Sequence, residues 1–384
     1  MRIAIDAHSV GTGLAGNESY ATNLIEALAE IDRENSYTLY VTMREAVERF
    51  SGRWPNFSVR MTLPHTPIVR IPLTLTAELR RRPVDLLHVQ FTSPPFAPCP
   101  VVALIPDLAF EHLPETFKRR SRIQLRLTVR RTAQTAAHII TCSDYSRRDI
   151  METYKVEPER ITTIPHAAPA HFKPANPEEV ARVRERYGLE EDYILAVGSI
   201  QPRKNLVRLV HAYESLQLRM PQDKLPQLVL VGKRAWLYGD TLRAVEASTI
   251  RRRVVFTGYV SENDLPGLYT GALAFVYPSY FEGFGLPPLE AMQCGTPVIT
   301  GMRTSLPEVV GDAGLLVDPF DEPAITDALM RVIKDEELRN ELRRKGLERA
   351  RLFDWRETAR RTLELYERVG RASVSRAKAA MYSA

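Results

Sequence analysis

The chain has 384 residues, of which 44% are hydrophobic and 26% are charged, a composition typical of globular proteins. Its length predicts two domains, and no apolar run approaches the roughly 20 residues of a membrane-spanning helix. The net charge is +5, and the three cysteines form no CxxC pair, so a disulfide framework is excluded and the cytosol is the expected compartment. The first residues alternate like a strand and lack the apolar core of a signal peptide.

Strand and helix signals alternate along the first half of the chain. In a helix predicted over residues 17–31, apolar residues recur at helical spacing, which indicates one face packed against a core. Alternation of this kind predicts a doubly wound parallel sheet. Strands are expected at residues 2–6, 37–42, 85–90, 101–105, 138–142 and 161–164, and further helices at 119–137 and from 143 onward.

A proline-rich stretch interrupts this alternation, with four prolines from Pro165 to Pro177. Such a stretch is typical of a linker. The alternation then resumes, so the chain is predicted to be an α/β protein of two Rossmann-like, doubly wound domains with a cleft between them, a preferred place for a ligand. The second set of strands is expected at 193–197, 227–231, 254–257, 272–277 and 297–300, followed by a helical zone over 321–369.

Positive charge is concentrated in residues 118–131, which hold seven basic residues and no acidic one. Four of the arginines recur at helical spacing and would form one cationic stripe. The stripe is either a solvated helix face or a surface that docks on anionic lipid headgroups. Nucleic acid is disfavoured as a partner because no aromatic residues are interleaved to stack on bases. The four arginines are Arg119, Arg122, Arg126 and Arg130.

Gly11, Gly13 and Gly16 match the GxGxxG pattern of dinucleotide-binding oxidoreductases. Two features argue against that function. Four residues separate Asp6 from Gly11, which is too slack for the tight turn, and the strand over 37–42 ends without the acidic residue that would bind ribose.

Arg203 and Lys204 follow the strand at 193–197 and precede a helix that starts near Asn205. Two cations beside a helix N-terminus, at the carboxyl end of a strand, predict an anion-binding loop. Solvated loop cations are the alternative.

A second loop of this kind contains Glu282 and Glu290, eight positions apart. Between them Gly283 and Gly285 permit close approach to a ligand, and the helix that follows offers its first amides to an anion. Glu290 falls in the first turns of that helix, where the helix dipole favours a carboxylate. No cluster of His, Cys and Asp has metal-ligand spacing.

These motifs together resemble the retaining GT-B glycosyltransferases of family four, within the mannosyltransferase-like branch. The similarity is dense over residues 193–355. It implies an N-terminal acceptor-side domain over 1–168, a donor-side domain over 169–355, and a last helix, 356–384, that returns to the first domain. The segments that carry it are Glu282 to Glu290 with its inner Gly-Phe-Gly-Leu-Pro, 198–206, 257–260, 295–299 and 305–309.

The resemblance also implies roles for individual residues. Arg203 and Lys204 would neutralise the departing diphosphate, with Glu282 near the transferred sugar. Ser199 stands where many relatives carry an arginine, and Pro106 where many carry a histidine, a duty that His112 would take over. Donor binding is assigned to Gly16, Asn17, the amides of Phe284, Gly285 and Leu286, and Glu290, which would bind the ribose. Asp107 and His112 are assigned to the acceptor and sugar side.

The resulting expectation is a cytoplasmic or membrane-peripheral hexosyltransferase that needs no metal and no cofactor. It would move mannose, with GDP-mannose as the favoured donor, to a hydroxyl of a glycan or lipid-linked acceptor. Metal independence is implied because the DxD motif of the other major glycosyltransferase architecture is absent. The alternatives are a sugar-nucleotide epimerase on the same scaffold and a non-catalytic sugar-nucleotide-binding subunit.

Overall fold

The computed structural model describes residues 1–13, 15–221 and 224–382, without the side chains of 15 and 373–382. The chain folds into two compact units. The first comprises residues 1–108, 120–166 and the C-terminal segment from Asp354, and the second comprises 109–119 and 167–353. No helix in the described ranges combines the length and apolar character needed to cross a membrane.

The first unit is built on a parallel sheet of seven strands within the described residues, in the order β3-β2-β1-β4-β5-β6-β7. Its central strand β4 is buried at every position, as expected for a strand covered on both faces. The strands are β1 (Arg2–Asp6), β2 (Ser36–Val41), β3 (Phe57–Met61), β4 (Leu86–Gln90), β5 (Val101–Leu104), β6 (His138–Thr141) and β7 (Ile161–Thr163).

Helices cover this sheet, and the last helix of the chain is among them. α1 and α16 pack against each other, and α16 also contacts β4. The helices are α1 (Ala15–Ile31), α2 (Arg44–Phe50), α3 (Pro67–Val69), α4 (Thr76–Arg81), α6 (Arg119–Thr135), α7 (Asp144–Tyr154) and α16 (Trp355–Tyr382), while α5 (Ala109–His112) belongs to the second unit.

The second unit holds a parallel sheet of six strands in the part of the chain that is described, in the order β10-β9-β8-β11-β12-β13. α9 and α14 pack together over the buried faces of β8, β9 and β11 and form the core with them. The strands are β8 (Tyr193–Val197), β9 (Gln227–Val231), β10 (Val254–Gly258), β11 (Ala274–Tyr277), β12 (Val298–Gly301) and β13 (Gly314–Val317). The helices are α8 (Pro177–Tyr187), α9 (Leu206–Leu216), α10 (Gly239–Ala247), α11 (Leu265–Gly271), α12 (Leu286–Gln293), α13 (Leu306–Val310), α14 (Glu322–Lys334) and α15 (Glu336–Ala350).

The structure has two strands that the sequence patterns did not predict, β3 and β13. Both are edge strands, and most of their residues are partly or fully exposed. β3 (Phe-Ser-Val-Arg-Met) therefore lacks the continuous apolar run that marks the central strands, whereas β13 (Gly-Leu-Leu-Val) has one that is only four residues long.

Residues 109–119 group with the second unit, although the sequence-based boundary near residue 168 left them in the first. Aromatic packing explains this grouping. The ring of Phe117 lies 6.1 Å from that of Trp236, and Trp236 Nε1 donates a hydrogen bond to the carbonyl of Thr116.

Candidate active site

The candidate site lies at the carboxyl edge of the second sheet, where the neighbouring strands β8 and β11 end. β8 pairs with β9 on one side and with β11 on the other, so the strand order reverses at this point. Open α/β sheets bind ligands in the crevice at such a switch point. β8 leads through a 3₁₀ turn, Pro202–Lys204, into α9, and β11 leads through residues 278–285 into α12.

Two residues with positive φ shape these loops. Asn205 has φ 58°, and its side-chain amide donates to the carbonyls of Pro278 at 3.0 Å and Pro319 at 2.6 Å, which joins the start of α9 to two neighbouring loops. Gly285 has φ 118°, and a Cβ there would lie 2.9 Å from Leu306. The positive φ and the contact with Leu306 would strain an L side chain at position 285, so the backbone here favours glycine.

Glu282 is the centre of an ion-pair network. Its Oε1 accepts from Lys204 Nζ at 2.7 Å, and its Oε2 lies 3.3 Å from a guanidinium nitrogen of Arg203. Tyr277 and Ser279 donate their hydroxyls to Oε1 at 3.1 and 2.5 Å. Burial alone would raise the pKa of Glu282, but the two cations and these hydrogen bonds outweigh it and lower the pKa to about 2. The carboxyl is therefore ionised at neutral pH, and the cluster keeps an excess of positive charge.

Neighbouring groups fix the position of both cations. Lys204 Nζ also donates to the hydroxyl of Tyr277 and lies 4.6 Å from the centroid of its ring. Arg203 donates to the carbonyl of Phe281 at 3.0 Å. Such charges act on a reacting group without a reorganisation cost. Sequence reasoning missed Tyr277 and Ser279, although their place at the end of a strand on the ligand edge was an available signal.

Glu290 has a different environment from Glu282. It is partly buried, and one carboxylate oxygen accepts from the hydroxyl of Tyr269 at 2.9 Å. Burial raises the pKa of Glu290 to about 7; the Tyr269 hydrogen bond lowers it, and the charge of Glu262 raises it further. Tyr269 was not identified from the sequence.

The start of α12 offers fewer donors than its position suggests. Pro287 and Pro288 have no N–H, and the amide of Leu289 donates to the carbonyl of Gly285 at 3.3 Å. The amides of Gly285 and Leu286 remain for a ligand. The Phe284 ring is buried against Phe353 at 5.7 Å, so only its backbone faces this turn.

His112 lies beside this loop within the second unit. Its ring stacks on that of Phe281 at 5.5 Å with an interplanar angle of 20°. Phe281 directly precedes Glu282, so the structure brings His112 close to the network of Arg203, Lys204 and Glu282.

Three of the predicted site residues belong to the first unit. Gly16 and Asn17 lie in the first turn of α1, and the carbonyl of Asn17 accepts from Ser9 and Gln90, each at 3.1 Å. Asp107 follows the carboxyl end of β5. Their part in a common site with Arg203 stays a prediction.

A carboxylate in the chain itself occupies the glycine-rich loop of the first unit. The amides of Gly11 and Gly13 donate to the two oxygens of Glu18, each at 2.7 Å. In this conformation these amides do not bind a pyrophosphate, in line with the exclusion of a dinucleotide site. No group of three His, Cys, Asp or Glu side chains within residues 1–13, 15–221 and 224–382 is arranged to hold a metal ion.

Solved structures share this architecture. A sucrose-phosphate synthase from Thermosynechococcus elongatus has a TM-score of 0.76 at 22% identity, covering 97% of this chain and 100% of that one. Anabaena HepE in complex with UDP-glucose has a TM-score of 0.74 at 18% identity, covering 96% and 99%. The fold is therefore GT-B, as predicted.

Sequence comparisons place the family. The profile of the Glycosyltransferase Family 4 matches residues 15–170, and that of the glycosyl transferases group 1 matches 178–349. The O-antigen chain mannosyltransferase B of Escherichia coli is 36% identical over 262 residues, which cover 68% of each protein. The chain therefore belongs to the family-four glycosyltransferases.

Proposed function

We propose that the protein is a retaining hexosyltransferase of glycan synthesis that works without a metal ion. It transfers a hexose, with mannose favoured, from a nucleotide diphosphate sugar to a hydroxyl of a glycan or lipid-linked acceptor. The observation that carries the proposal is the fixed pair of cations, Arg203 and Lys204, on Glu282 at the switch point of the second sheet. The preference for mannose is supported by the relative, which is named as a mannosyltransferase, and the choice of GDP rests on the resemblance to the mannosyltransferase-like branch.

The chemistry breaks the bond between the anomeric carbon and the phosphate oxygen and forms one from that carbon to the acceptor oxygen. With attack on the leaving-group face, the acceptor proton passes to the departing phosphate, and the configuration is retained. Arg203 and Lys204 stabilise the negative charge that grows on the diphosphate. Glu282, with a pKa of about 2, is ionised and positions the cations and a sugar hydroxyl, so it is not the general acid of a glycosidase-like pair.

The remaining contacts follow from the same placement. Glu290 accepts hydrogen bonds from the ribose hydroxyls, and the amides of Phe284, Gly285 and Leu286 meet the diphosphate or the sugar. Gly16 and Asn17 would bind the diphosphate from the first unit. Asp107 and His112 would serve the acceptor and sugar side.

Two substitutions test the proposal. Lys204→Ala and Glu282→Ala are each expected to lower turnover of GDP-mannose by about 100-fold, because each removes part of the electrostatic stabilisation of the leaving group. Lys345→Ala is the matched control, since Lys345 is ion-paired to Asp312 and Glu341 elsewhere in the same unit. The measurement is release of GDP, with circular dichroism to verify folding. Near-normal turnover in both variants contradicts the assignment.

An epimerase and a non-catalytic binding subunit are not favoured, because the curated relative is named as a transferase. Incubation with donor alone separates the three functions. A transferase slowly releases free nucleoside diphosphate by hydrolysis, an epimerase yields a new nucleotide sugar without release, and a binding subunit does neither.

We also infer that the cations of residues 118–131 contact an anionic membrane on its cytoplasmic face. In support, the buried residues of α6 are in its second half, so its N-terminal half is exposed. The double variant Arg126→Ser with Arg130→Ser should bind anionic vesicles at low salt about 30-fold more weakly, because each arginine near the surface contributes about 1 kcal/mol. Arg251→Ser with Arg252→Ser, two exposed arginines of the second unit, should bind like the parent protein. Equal loss in both pairs would contradict the inference.

A further inference from the structure

Charge in the first unit is distributed very unevenly along the chain. Residues 49–143 contain fourteen Lys and Arg but five Asp and Glu, although the whole chain has 52 and 47. No acidic residue occurs in 49–77 or in 86–106. These segments include the loops that follow β3 and β4.

The same part of the chain exposes large apolar side chains. Ile68 lies in α3, which directly precedes a π-helical segment, Arg70–Leu75, and Leu73 lies within that segment. The others lie on neighbouring segments. Exposed apolar residues are ordinary when they are scattered singly, but a group on one side of a domain marks an interaction surface. We call the following residues the apolar edge: Leu63 (55% exposed), Ile68 (73%), Leu73 (65%), Phe96 (69%) and Leu127 (69%).

Backbone and side-chain contacts place the first three along the carboxyl edge of the sheet. The amide of Thr62 donates to the carbonyl of Val41 at 2.8 Å, and His65 pairs with Thr42 at 2.7 Å, so Leu63 lies beside the end of β2. Arg70 pairs with Asp6 at the end of β1.

Phe96 and Leu127 continue this edge past β4. The loop after β4 is joined to α6 by a hydrogen bond of 3.1 Å between the hydroxyls of Thr92 and Thr128. Arg131 donates to the carbonyl of Pro95 at 2.6 Å. Phe96 therefore lies beside α6, which contains Leu127 and exposes Arg119, Arg120, Arg126 and Arg130.

The exposure of Ile68 and Leu73 is built into the fold. Arg70 is fully buried between them and donates to both oxygens of Asp6 at 2.8 and 2.9 Å. Ile71 and Leu75 are also buried. The segment is thus anchored by one face and presents Ile68 and Leu73 on the other.

We propose that the apolar edge inserts into the boundary between headgroups and acyl chains of an anionic bilayer. Apolar side chains next to a basic helix fit that boundary, since the first enter the hydrocarbon and the second pairs with lipid phosphates. A second copy of this chain would instead bring two acid-poor surfaces together, with repulsion between their cations. The proposal goes beyond electrostatic contact of residues 118–131, and it does not depend on the transferase activity.

Insertion is measured directly with a tryptophan probe in the full-length protein. The tryptophan fluorescence of Leu73→Trp is expected to be weaker with vesicles that have brominated acyl chains than with the same vesicles without bromine, because bromine quenches an inserted ring. Leu352→Trp, at an equally exposed position of the second unit, is expected to stay unquenched. The parent protein supplies the background of the three native tryptophans. An unquenched Leu73→Trp overturns the proposal.

Salt separates insertion from surface attraction. At about 0.5 M NaCl, where exposed charges are screened, the parent protein should still bind vesicles of phosphatidylcholine and phosphatidylglycerol. Ile68→Ser with Leu73→Ser should lower that binding by about tenfold or more, while Leu218→Ser with Leu352→Ser leaves it unchanged. No binding at high salt, or equal binding by both pairs, overturns insertion. The proposal is also overturned if light scattering shows that the parent protein is a dimer and that only Ile68→Ser with Leu73→Ser makes it a monomer. That result would identify a second copy of the chain as the occupant of the apolar edge.

Discussion

Glu282 and Glu290 flank the same loop, yet their surroundings shift their pKa values in opposite directions. Burial favours a raised pKa for both carboxyls. At Glu282 the two cations outweigh burial and the pKa is lowered to about 2. At Glu290 only the Tyr269 hydroxyl opposes burial, and the pKa is raised to about 7. Pairs of carboxyls with separated pKa values divide roles in many active sites. At neutral pH Glu282 is a permanent anion here, and Glu290 changes charge.

The pKa of Glu290 predicts a pH dependence of nucleotide binding. If ribose hydroxyls donate to the Glu290 carboxylate, the ionised form binds better, so affinity should rise as pH increases through about 7 and level off above it. The direction follows from the raised pKa of Glu290: below about pH 7 the carboxyl of the free protein is protonated, and nucleotide binding must release that proton. Titration calorimetry with GDP and UDP from about pH 6 to about pH 8 measures this.

The terminal phosphate of the nucleotide titrates in the same range, so the control is Glu290→Gln. In that variant the part of the pH dependence that comes from Glu290 should vanish, leaving the phosphate's own contribution. Identical pH profiles for the two proteins would show that Glu290 does not bind the ribose.

At the scale of elements, the junction of β11, the 278–285 loop and α12 sets the geometry of the site. Gly285 is the N-cap residue of α12, with φ 118°, and a Cβ at this position would lie 2.9 Å from Leu306. Gly285→Ala should lower the free energy of unfolding by about 1–3 kcal/mol, since an L side chain is strained there. The same change should weaken binding of GDP, because it moves the amides of Gly285 and Leu286. Denaturant titration and calorimetry measure the two effects.

Gly52→Ala is the matched variant for that change. Gly52 also has positive φ, at 70°, but a Cβ there meets nothing within 4 Å, and it lies in the first unit. It should cost stability without changing the affinity for GDP. Loss of affinity in both variants would mean that general destabilisation, and not the position of the loop, explains Gly285→Ala.

The elements that sequence patterns predicted are those with strong periodicity. The expected ranges for β1, β8 and β9 agree with the structure to the residue, because each apolar run stops at a polar residue or a glycine, Asp6, Gly198 and Gly232. The edge strand β3 was missed, since a half-exposed strand has no such run. Tyr277 and Tyr269 were missed for a different reason: their contacts with Glu282 and Glu290 depend on loop conformation, which periodicity does not encode.

At the scale of the whole molecule, the chain leaves the first unit at residue 166 and returns to it from Asp354. A buried hydrogen-bonded triad lies where α16 packs in that unit. His88, in the middle of β4, is 1% exposed, and its ring nitrogens pair with the hydroxyls of Tyr366 at 2.9 Å and Tyr20 at 3.3 Å. Burial lowers the pKa of His88 to about 4 despite the charge of Asp6, so the ring is neutral at pH 7. The proline-rich linker could be predicted from the sequence. The hydrogen bond between His88 and Tyr366 could not, because the two residues are 278 positions apart.

The triad predicts that a change in the last helix destabilises the first unit. Tyr366→Phe leaves a buried ring nitrogen of His88 without its partner, which should cost about 1–3 kcal/mol. Hydrogen exchange followed by mass spectrometry should show faster exchange in β1 and β4 and unchanged exchange in β8 and β11, with GDP still protecting the loops after β8 and β11. Tyr187→Phe is the control, because that tyrosine pairs with Asp264 in the second unit at 3.0 Å. Faster exchange in β8 from Tyr366→Phe would mean that the two units unfold as one cooperative body, and the C-terminal helix would then stabilise the whole chain and not the first unit alone.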